Sequence, residues 1–144
     1  VSPAFPTDNP AVKPIRLRQD VATGGIKCTV SGWGLLDEKE NTTPQILQFA
    51  IARLISYEEC RSKYSNIPTA SIKPGMICAN NHRRGQAACY GDSGGPLQCG
   101  GLLTGVMSGG GQKCASTEHP DVYTDVAYYK KWINRQISKG KDEL

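Results

Sequence analysis

The sequence contains no apolar stretch near the roughly 20 residues that a membrane-spanning helix requires. It has no initiator Met and no charged-then-apolar leader at its start, so we expect a soluble chain that is processed or cut from something longer. With 144 residues, it has room for one domain or for a piece of a larger protein, since a typical domain has about 150 residues.

Metal ligands are also scarce. The six cysteines form no Cys-x-x-Cys pair, and neither of the two histidines stands at a spacing typical of a metal site. We therefore expect no bound metal and no cofactor. The even number of cysteines indicates three disulfides, which persist in secreted and secretory-pathway proteins, and six reduced cysteines in a cytosolic core are the alternative. The residues alone leave the connectivity open.

Charge of one sign is not gathered into a run. The sequence has 17 Lys and Arg against 13 Asp and Glu, a formal net charge of +4, with the basic residues scattered along the chain. This pattern argues against nucleic-acid binding, and we expect no membrane partner. The 16 Gly and 9 Pro indicate many turns and argue against a helical bundle, so an all-β fold is the leading class.

The order of elements can be predicted along the chain. Residues 1–20 hold four prolines and are expected to be an extended connecting arm. Ser56, followed by Glu58 and Glu59, is a candidate N-cap for a short helix over 57–64. Apolar residues at helical spacing predict an amphipathic helix over 127–137. Strand-forming patterns occupy 27–34 (entering a tight loop), 45–55, 76–78, 96–99 and 102–108.

The most specific chemical motif is the octapeptide from Cys89 to Pro96. Glycines on both sides of Ser93 allow the backbone to turn sharply, so that the hydroxyl protrudes while nearby N–H groups converge. Acyl transfer needs this geometry. The alternative is a glycine-rich turn with an incidental serine.

Several motifs in one order resemble the chymotrypsin/trypsin family of serine endopeptidases. The resemblance runs from Pro3 to Gln136, and its motifs are 28–34, 75–79, 91–96, 120–124 and Trp132-Ile133. It implies an all-β fold, a six-stranded antiparallel β-barrel that is the second barrel of a two-barrel fold, with a C-terminal helix. We divide the chain accordingly into the connecting arm (1–20), the barrel (21–126) and the C-terminal helix and tail (127–144).

The resemblance implies roles for residues of the octapeptide. Ser93 would be the nucleophile, and the N–H groups of Gly91 and Ser93 would form the oxyanion hole. Asp92 would pair with the new amino terminus released by zymogen cleavage, and a turn-stabilising Asx side chain is its alternative. The family's disulfides would join Cys28 to Cys99, Cys60 to Cys78, and Cys89 to Cys114.

The catalytic machinery in the sequence is incomplete. His82 and His119 both lack the context of the family's triad histidine and are expected at the surface. The triad His and Asp would lie on an N-terminal barrel that this chain lacks, so we predict that the chain alone is inactive, because a serine hydroxyl without its base is a poor nucleophile.

The specificity pocket departs from the family's familiar patterns. Ala87 matches the pocket floor that is acidic in trypsin, and Asp121 stands at a wall position that is often Gly. Gly109 replaces a usual Trp, so subsite selectivity should be relaxed. We expect a preference for Arg or Lys substrates with broad side activity. The further substrate-binding candidates are Ala88, Tyr90, Ser108 and Gly110.

Partners and location follow from the same resemblance. We expect the missing half, protein or peptide substrates and protein protease inhibitors as partners, and a secreted parent that works by an acyl-enzyme mechanism. The alternatives are a non-catalytic homologue that acts as a binding or cofactor protein, and a truncated fragment or splice product that never folds stably. Asn41 begins a glycosylation sequon in the exposed loop 37–44. Lys141-Asp142-Glu143-Leu144 matches an endoplasmic reticulum retrieval signal, with chance or an added tag as alternatives.

Overall fold

The computed structural model describes residues 5–6, 8–39, 42–81, 87–111, 113–116 and 118–142. His82, Asn41 and the last two residues of the terminal tetrapeptide lie outside this described part of the chain. The elements are β1 (Arg16–Leu17), β2 (Lys27–Gly32), β3 (Gln48–Leu54), α1 (Tyr57–Tyr64), β4 (Met76–Asn81), β5 (Pro96–Cys99), β6 (Leu102–Gly109), β7 (Asp121–Asp125) and α2 (Val126–Asp142).

Six antiparallel strands close into a barrel. Their neighbours follow the order β6-β5-β2-β3-β4-β7, and β7 pairs back with β6 to complete the circle. The predicted six-stranded antiparallel barrel with a C-terminal helix is confirmed. The connecting arm adds the two-residue β1, which pairs in parallel with the start of β6.

Alternation along the strands builds the core of the barrel. In β2 the side chains of Cys28 and Val30 are buried, and in β3 every second residue, ending at Leu54, points inward. Leu97 and Tyr123 are fully buried at 0% exposure and fill the centre of the same cluster. The short side chains of the inward β3 residues leave room for these two larger ones.

α1 begins at the residue that the sequence predicts, and α2 begins at Val126, one residue before the predicted start. The Ser56 Oγ accepts a hydrogen bond from the Glu59 N–H at 3.1 Å and caps α1, and Glu58 lies in the same first turn. The Asp125 Oδ1 accepts a hydrogen bond from the Ala127 N–H at 2.9 Å and caps the start of α2. α2 extends past the predicted end at 137, because nothing in residues 138–142 except Gly140 opposes a helix.

Three disulfides tie the barrel to its loops. They join Cys28 to Cys99, Cys60 to Cys78, and Cys89 to Cys114, the pairs that the family resemblance implies. The last bridge anchors the active-site loop to the segment after β6. Among the described residues, no helix is long and apolar enough to cross a membrane.

Candidate active site

The loop between β4 and β5 carries the candidate nucleophile. Gly91 has a φ of 99° and Gly94 a φ of 82°, both in the left-handed region that favours glycine. The Gly95 N–H donates to the Asp92 carbonyl at 2.9 Å, which closes a tight turn around Ser93. The Ser93 side chain is exposed at the outside of this turn.

The N–H groups of this turn fall into two sets. Those of Asp92 and Gly94 donate to the carbonyls of Cys89 at 3.0 Å and Met107 at 2.9 Å. Within the described part of the chain, the N–H groups of Gly91 and Ser93 donate to no backbone carbonyl. These two donors are the pair that the family resemblance assigns to the oxyanion hole.

Asp92 ties the turn to the loop after β2. Its Oδ1 accepts from the Gly34 N–H at 2.9 Å, and its Oδ2 accepts from the Cys89 N–H at 2.9 Å. A side chain at Gly32 or Gly34 would overlap the Asp92 carboxylate. This close approach is the physical reason for the Gly-Trp-Gly sequence of that loop.

A cavity of about 270 Å³ opens beside the Asp92 carboxylate. Leu35, Phe49 and Ala87 contribute to its wall, together with the backbone around Gly32. Ala87 therefore lies on this side of the loop, and it is not among the residues that line the pocket with Ser93. The sequence assignment of Ala87 to the specificity pocket stays a prediction without support from this placement.

A second, smaller pocket of about 120 Å³ lies on the Ser93 side of the loop. It collects most of the predicted substrate-binding residues. Ser108 is exposed and does not line it, because adjacent residues of a strand point to opposite faces and Met107 takes the inward position. The lining residues are Ala88, Cys89, Tyr90, Ser93, Met107, Gly109, Gly110, Gly111, Lys113, Cys114 and Asp121.

Asp121 supplies the buried carboxylate of this pocket. It is 5% exposed, and its Oδ2 accepts from the Ala88 N–H at 3.3 Å. The pKa of Asp121 is raised to about 6, mainly by burial and in smaller part by the negative charge of Asp92, against the lowering effect of the Ala88 N–H and the Tyr123 hydroxyl. The carboxylate is therefore ionised near neutral pH and protonated in mild acid.

The Tyr123 hydroxyl lies next to Asp121 in the barrel. Within the described residues it has no hydrogen-bond partner of good geometry. Its burial, together with the nearby charge of Asp121, raises the pKa of this phenol above its ordinary value. The hydroxyl stays protonated, so a donor remains available beside the carboxylate.

Lys113 is a pocket residue that sequence reasoning missed. It is exposed, and it lines the same pocket as Ser93 and Asp121. Its position directly before Cys114, whose disulfide holds the segment against Cys89, was the available signal. A lysine here adds a positive charge to the pocket that Asp121 also lines.

Histidine is not part of this pocket. His119 is half-buried, with its ring centroid 5.4 Å from that of Tyr64, and it packs beside Gly111. No histidine of the described residues lines the Ser93 pocket. The described part of the chain thus holds a hydroxyl and its neighbouring donors without an imidazole base.

Comparison with known proteins agrees with this arrangement. Residues 4–133 match the family model described as Trypsin. The chain is 38% identical to human kallikrein-9 over 125 residues, and 39% identical to human kallikrein-8 over 130 residues. These alignments cover 87% and 90% of this chain but 48% of each relative, so the chain spans about half the length of the curated relatives it matches.

A solved structure shares the fold. It is neuropsin, a serine protease expressed in the limbic system of mouse brain, and it superposes with a TM-score of 0.79 at 32% sequence identity. The match covers 94% of this chain and 67% of that one. From the barrel, the nucleophile loop and these similarities together, the chain belongs to the chymotrypsin/trypsin family of serine proteases.

Proposed function

We propose that this chain is the C-terminal half of a serine endopeptidase and that it supplies the nucleophile, the oxyanion hole and the specificity pocket. The main observation behind this proposal is that Ser93 lines the same pocket as the buried carboxylate of Asp121. Among the described residues, the N–H groups of Gly91 and Ser93 donate to no backbone carbonyl. A peptide carbonyl bound at Ser93 would find donors for its oxygen there.

The reaction follows the Ser-His-Asp template of this family. The Ser93 Oγ attacks the carbonyl carbon of the peptide bond, and its proton passes to the histidine of the missing half. The carbon–nitrogen bond breaks, the amine leaves with that proton, and an ester remains on Ser93. Water then hydrolyses the ester by the same route. The N–H groups of Gly91 and Ser93 bind the oxygen that becomes negative in each step.

The chain alone is expected not to cleave peptides, because no base reaches Ser93 within its described residues. The missing half would bring the triad His and Asp. Asp92 is the proposed partner of a new amino terminus after zymogen cleavage. The cavity beside its carboxylate supports this role, since an apolar residue carrying an α-ammonium group would find an acid and an apolar wall there.

The pocket favours a basic residue on the acyl side of the cut. Asp121 is buried and accepts one backbone hydrogen bond, so its oxygens retain the capacity to bind a guanidinium or ammonium group. Lys113 at the same pocket opposes this attraction. We therefore propose a preference for Arg or Lys that is shallow, with Leu and Phe accepted.

The proposed setting is the secretory pathway, because the structure pairs all six cysteines in disulfides. Protein substrates and protein protease inhibitors are the proposed partners. Retention in the endoplasmic reticulum through the terminal tetrapeptide stays a prediction that no observation supports.

Labelling with a fluorophosphonate tests the proposed function. The chain is compared alone and after refolding with the N-terminal half of its parent, with Ser93→Ala as the control. We expect labelling only in the combined protein, and none in the control. If the combined protein with an intact triad is not labelled at Ser93, the parent is a non-catalytic homologue. Rapid labelling of the chain alone would show that Ser93 finds a base within it.

A further inference from the structure

A further cavity lies between the starts of the two helices. Its volume is about 410 Å³, within the range of about 300–1,000 Å³ that is typical of small-molecule sites. It is lined by the segments 21–24, 55–57 and 74–78 together with Asp125 and Tyr128, and we call it the helix-start pocket. Ser93 and Asp121 do not line it, so a ligand bound there is independent of the proposed peptidase activity.

The walls of the helix-start pocket are largely apolar. The rings of Tyr57 and Tyr128 lie among them, and the Tyr57 hydroxyl donates to the Ile72 carbonyl at 3.2 Å, which fixes one ring. The Tyr128 ring lies against Gly75, where any side chain would overlap it. The apolar surface is therefore present before a ligand arrives. The aliphatic and thioether side chains of the wall are those of Val21, Ala22, Ile55, Pro74, Met76 and Ile77.

Asp125 is the one charged residue that lines this pocket in the described part of the chain. It is 5% exposed, and its backbone N–H donates to the Gly75 carbonyl at 2.9 Å, which holds it beside the turn before β4. Its Oδ1 accepts the capping bond from the Ala127 N–H. This is the only hydrogen bond that the carboxylate accepts from the described residues, so Oδ2 retains its capacity to accept from a ligand.

We infer that the helix-start pocket binds a small organic amine, a ligand with an apolar body and one ammonium or amidinium group. The charged group would donate to the Asp125 carboxylate, and the apolar body would replace water along the walls. The faces of the two tyrosine rings also attract a cation. The Arg61 guanidinium already lies 5.8 Å from the centroid of the Tyr57 ring, which is a contact of this kind within the fold.

Two other classes of ligand fit the helix-start pocket less well. A divalent metal ion needs several oxygen ligands, and one carboxylate provides too few. Within the described residues, no three His, Cys, Asp or Glu side chains are grouped closely enough to hold a metal ion. A neutral apolar ligand would remove water from the Asp125 carboxylate without replacing its hydrogen bonds, which costs free energy. An amine satisfies both the apolar walls and the acid.

Binding of phenethylamine to the full 144-residue chain tests the inference, because this probe joins one aromatic ring to one primary ammonium group. Two-dimensional amide NMR follows the titration, with 2-phenylethanol as the neutral probe of the same shape. Asp125→Asn is the test variant, since asparagine removes the charge and keeps an oxygen that caps α2. Asp121→Asn is the matched control, since it makes the same change at the buried acid of the Ser93 pocket.

A second test variant, Thr23→Trp, keeps the acid and fills the cavity. Thr23 is exposed and lines the helix-start pocket, so an indole ring at this position would occupy the space of the ligand without disturbing the core of the barrel. Circular dichroism checks that all three variants keep the fold of the unaltered chain.

We expect a dissociation constant of about 0.1–1 mM for phenethylamine, as is reasonable for a ligand of this size. It should rise roughly tenfold in Asp125→Asn and in Thr23→Trp, as expected for one lost charge-assisted hydrogen bond and for a blocked cavity, and change little in Asp121→Asn. The amide shifts should centre on Gly24 and Gly75. 2-Phenylethanol should bind about tenfold more weakly than phenethylamine.

Three results would overturn the inference. A loss in Asp121→Asn as large as that in Asp125→Asn would place the probe in the Ser93 pocket. Equal affinity for the neutral probe would remove the role of the Asp125 carboxylate. Absence of phenethylamine binding by the unaltered chain would show that the helix-start pocket takes no amine.

Discussion

Two carboxylates stand on opposite sides of the active-site loop, and their surroundings differ. Asp92 accepts two backbone hydrogen bonds of 2.9 Å, from Gly34 and from Cys89, which connect segments far apart in the chain. Asp121 is more deeply buried and accepts one bond of 3.3 Å, from Ala88. The comparison teaches that burial does not by itself identify an acid that binds a ligand. The number of hydrogen bonds that a carboxylate already accepts has to be considered as well.

The largest loss of stability should come from removing Asp92, which accepts two backbone hydrogen bonds. In Asp92→Ala, the N–H groups of Gly34 and Cys89 lose their acceptor, and we expect the unfolding free energy of the chain to fall by about 2–4 kcal/mol. Urea unfolding measures this change. Asp37→Ala is the control, since Asp37 also accepts a backbone N–H, from Lys39, but at an exposed site. Equal losses in the two variants would mean that Asp92 is not a structural tie.

The pH dependence of the unfolding free energy should distinguish Asp121 from Asp92. The pKa of Asp121 is about 6 in the fold, against 3.8 for an unperturbed Asp carboxyl group, so the folded chain binds this proton more strongly. The contribution of Asp121 to the unfolding free energy is fully present below pH 4. At most about 3 kcal/mol of it is lost as the pH rises through 6. In Asp121→Asn, the unfolding free energy should fall less between pH 4 and pH 7. An unchanged slope would contradict the raised pKa.

Substrate selectivity should show whether the Asp121 carboxylate forms a further hydrogen bond with a basic substrate side chain. In the combined protein, Asp121→Gly should lower kcat/KM for Arg substrates about tenfold, as expected for one charge-assisted hydrogen bond. Leu and Phe substrates should be affected little. Steady-state kinetics on matched peptides that differ only at this residue provide the measurement. Equal losses on all three substrates would assign Asp121 to the fold rather than to substrate recognition.

The smallest change in substrate selectivity should come from Lys113, which lines the same pocket as Asp121. Lys113→Ala in the combined protein should raise the ratio of kcat/KM for Arg over Leu substrates about two- to threefold, because an exposed charge is largely screened by solvent. Lys39→Ala, also exposed but outside the pocket, is the matched control. If the ratio falls in Lys113→Ala, the lysine would assist basic substrates instead of repelling them.

Local signals in the sequence predicted much of the fold. Ser56 and the two glutamates after it placed α1 over 57–64, where the structure has it, since capping depends on neighbours in the chain. The strand-forming residues of 27–34 likewise predicted β2 without knowledge of its partners. The end of α2 was placed too early, because the pattern of apolar residues stops before the helix does.

The site was only partly accessible to the same reasoning. Motif positions led to Ser93, Gly91 and Asp121, and the pocket brings Ser93 and Asp121 together. Ala87 lies instead beside the Asp92 cavity, and Lys113 enters the pocket without having been predicted. Which side of a loop a residue occupies depends on how distant segments pack against it.

The sequence by itself determined the sharp turn at Ser93, the helix starts and the strand faces, because each depends on residues within a few positions of one another. Only the tertiary structure decided that Asp92 would be held by the backbone of the loop after β2. It alone decided that Asp121 would stay buried with one bond and that Asp125 would lie beside Gly75. These outcomes depend on contacts between residues tens of positions apart, which the closed barrel and its disulfides impose.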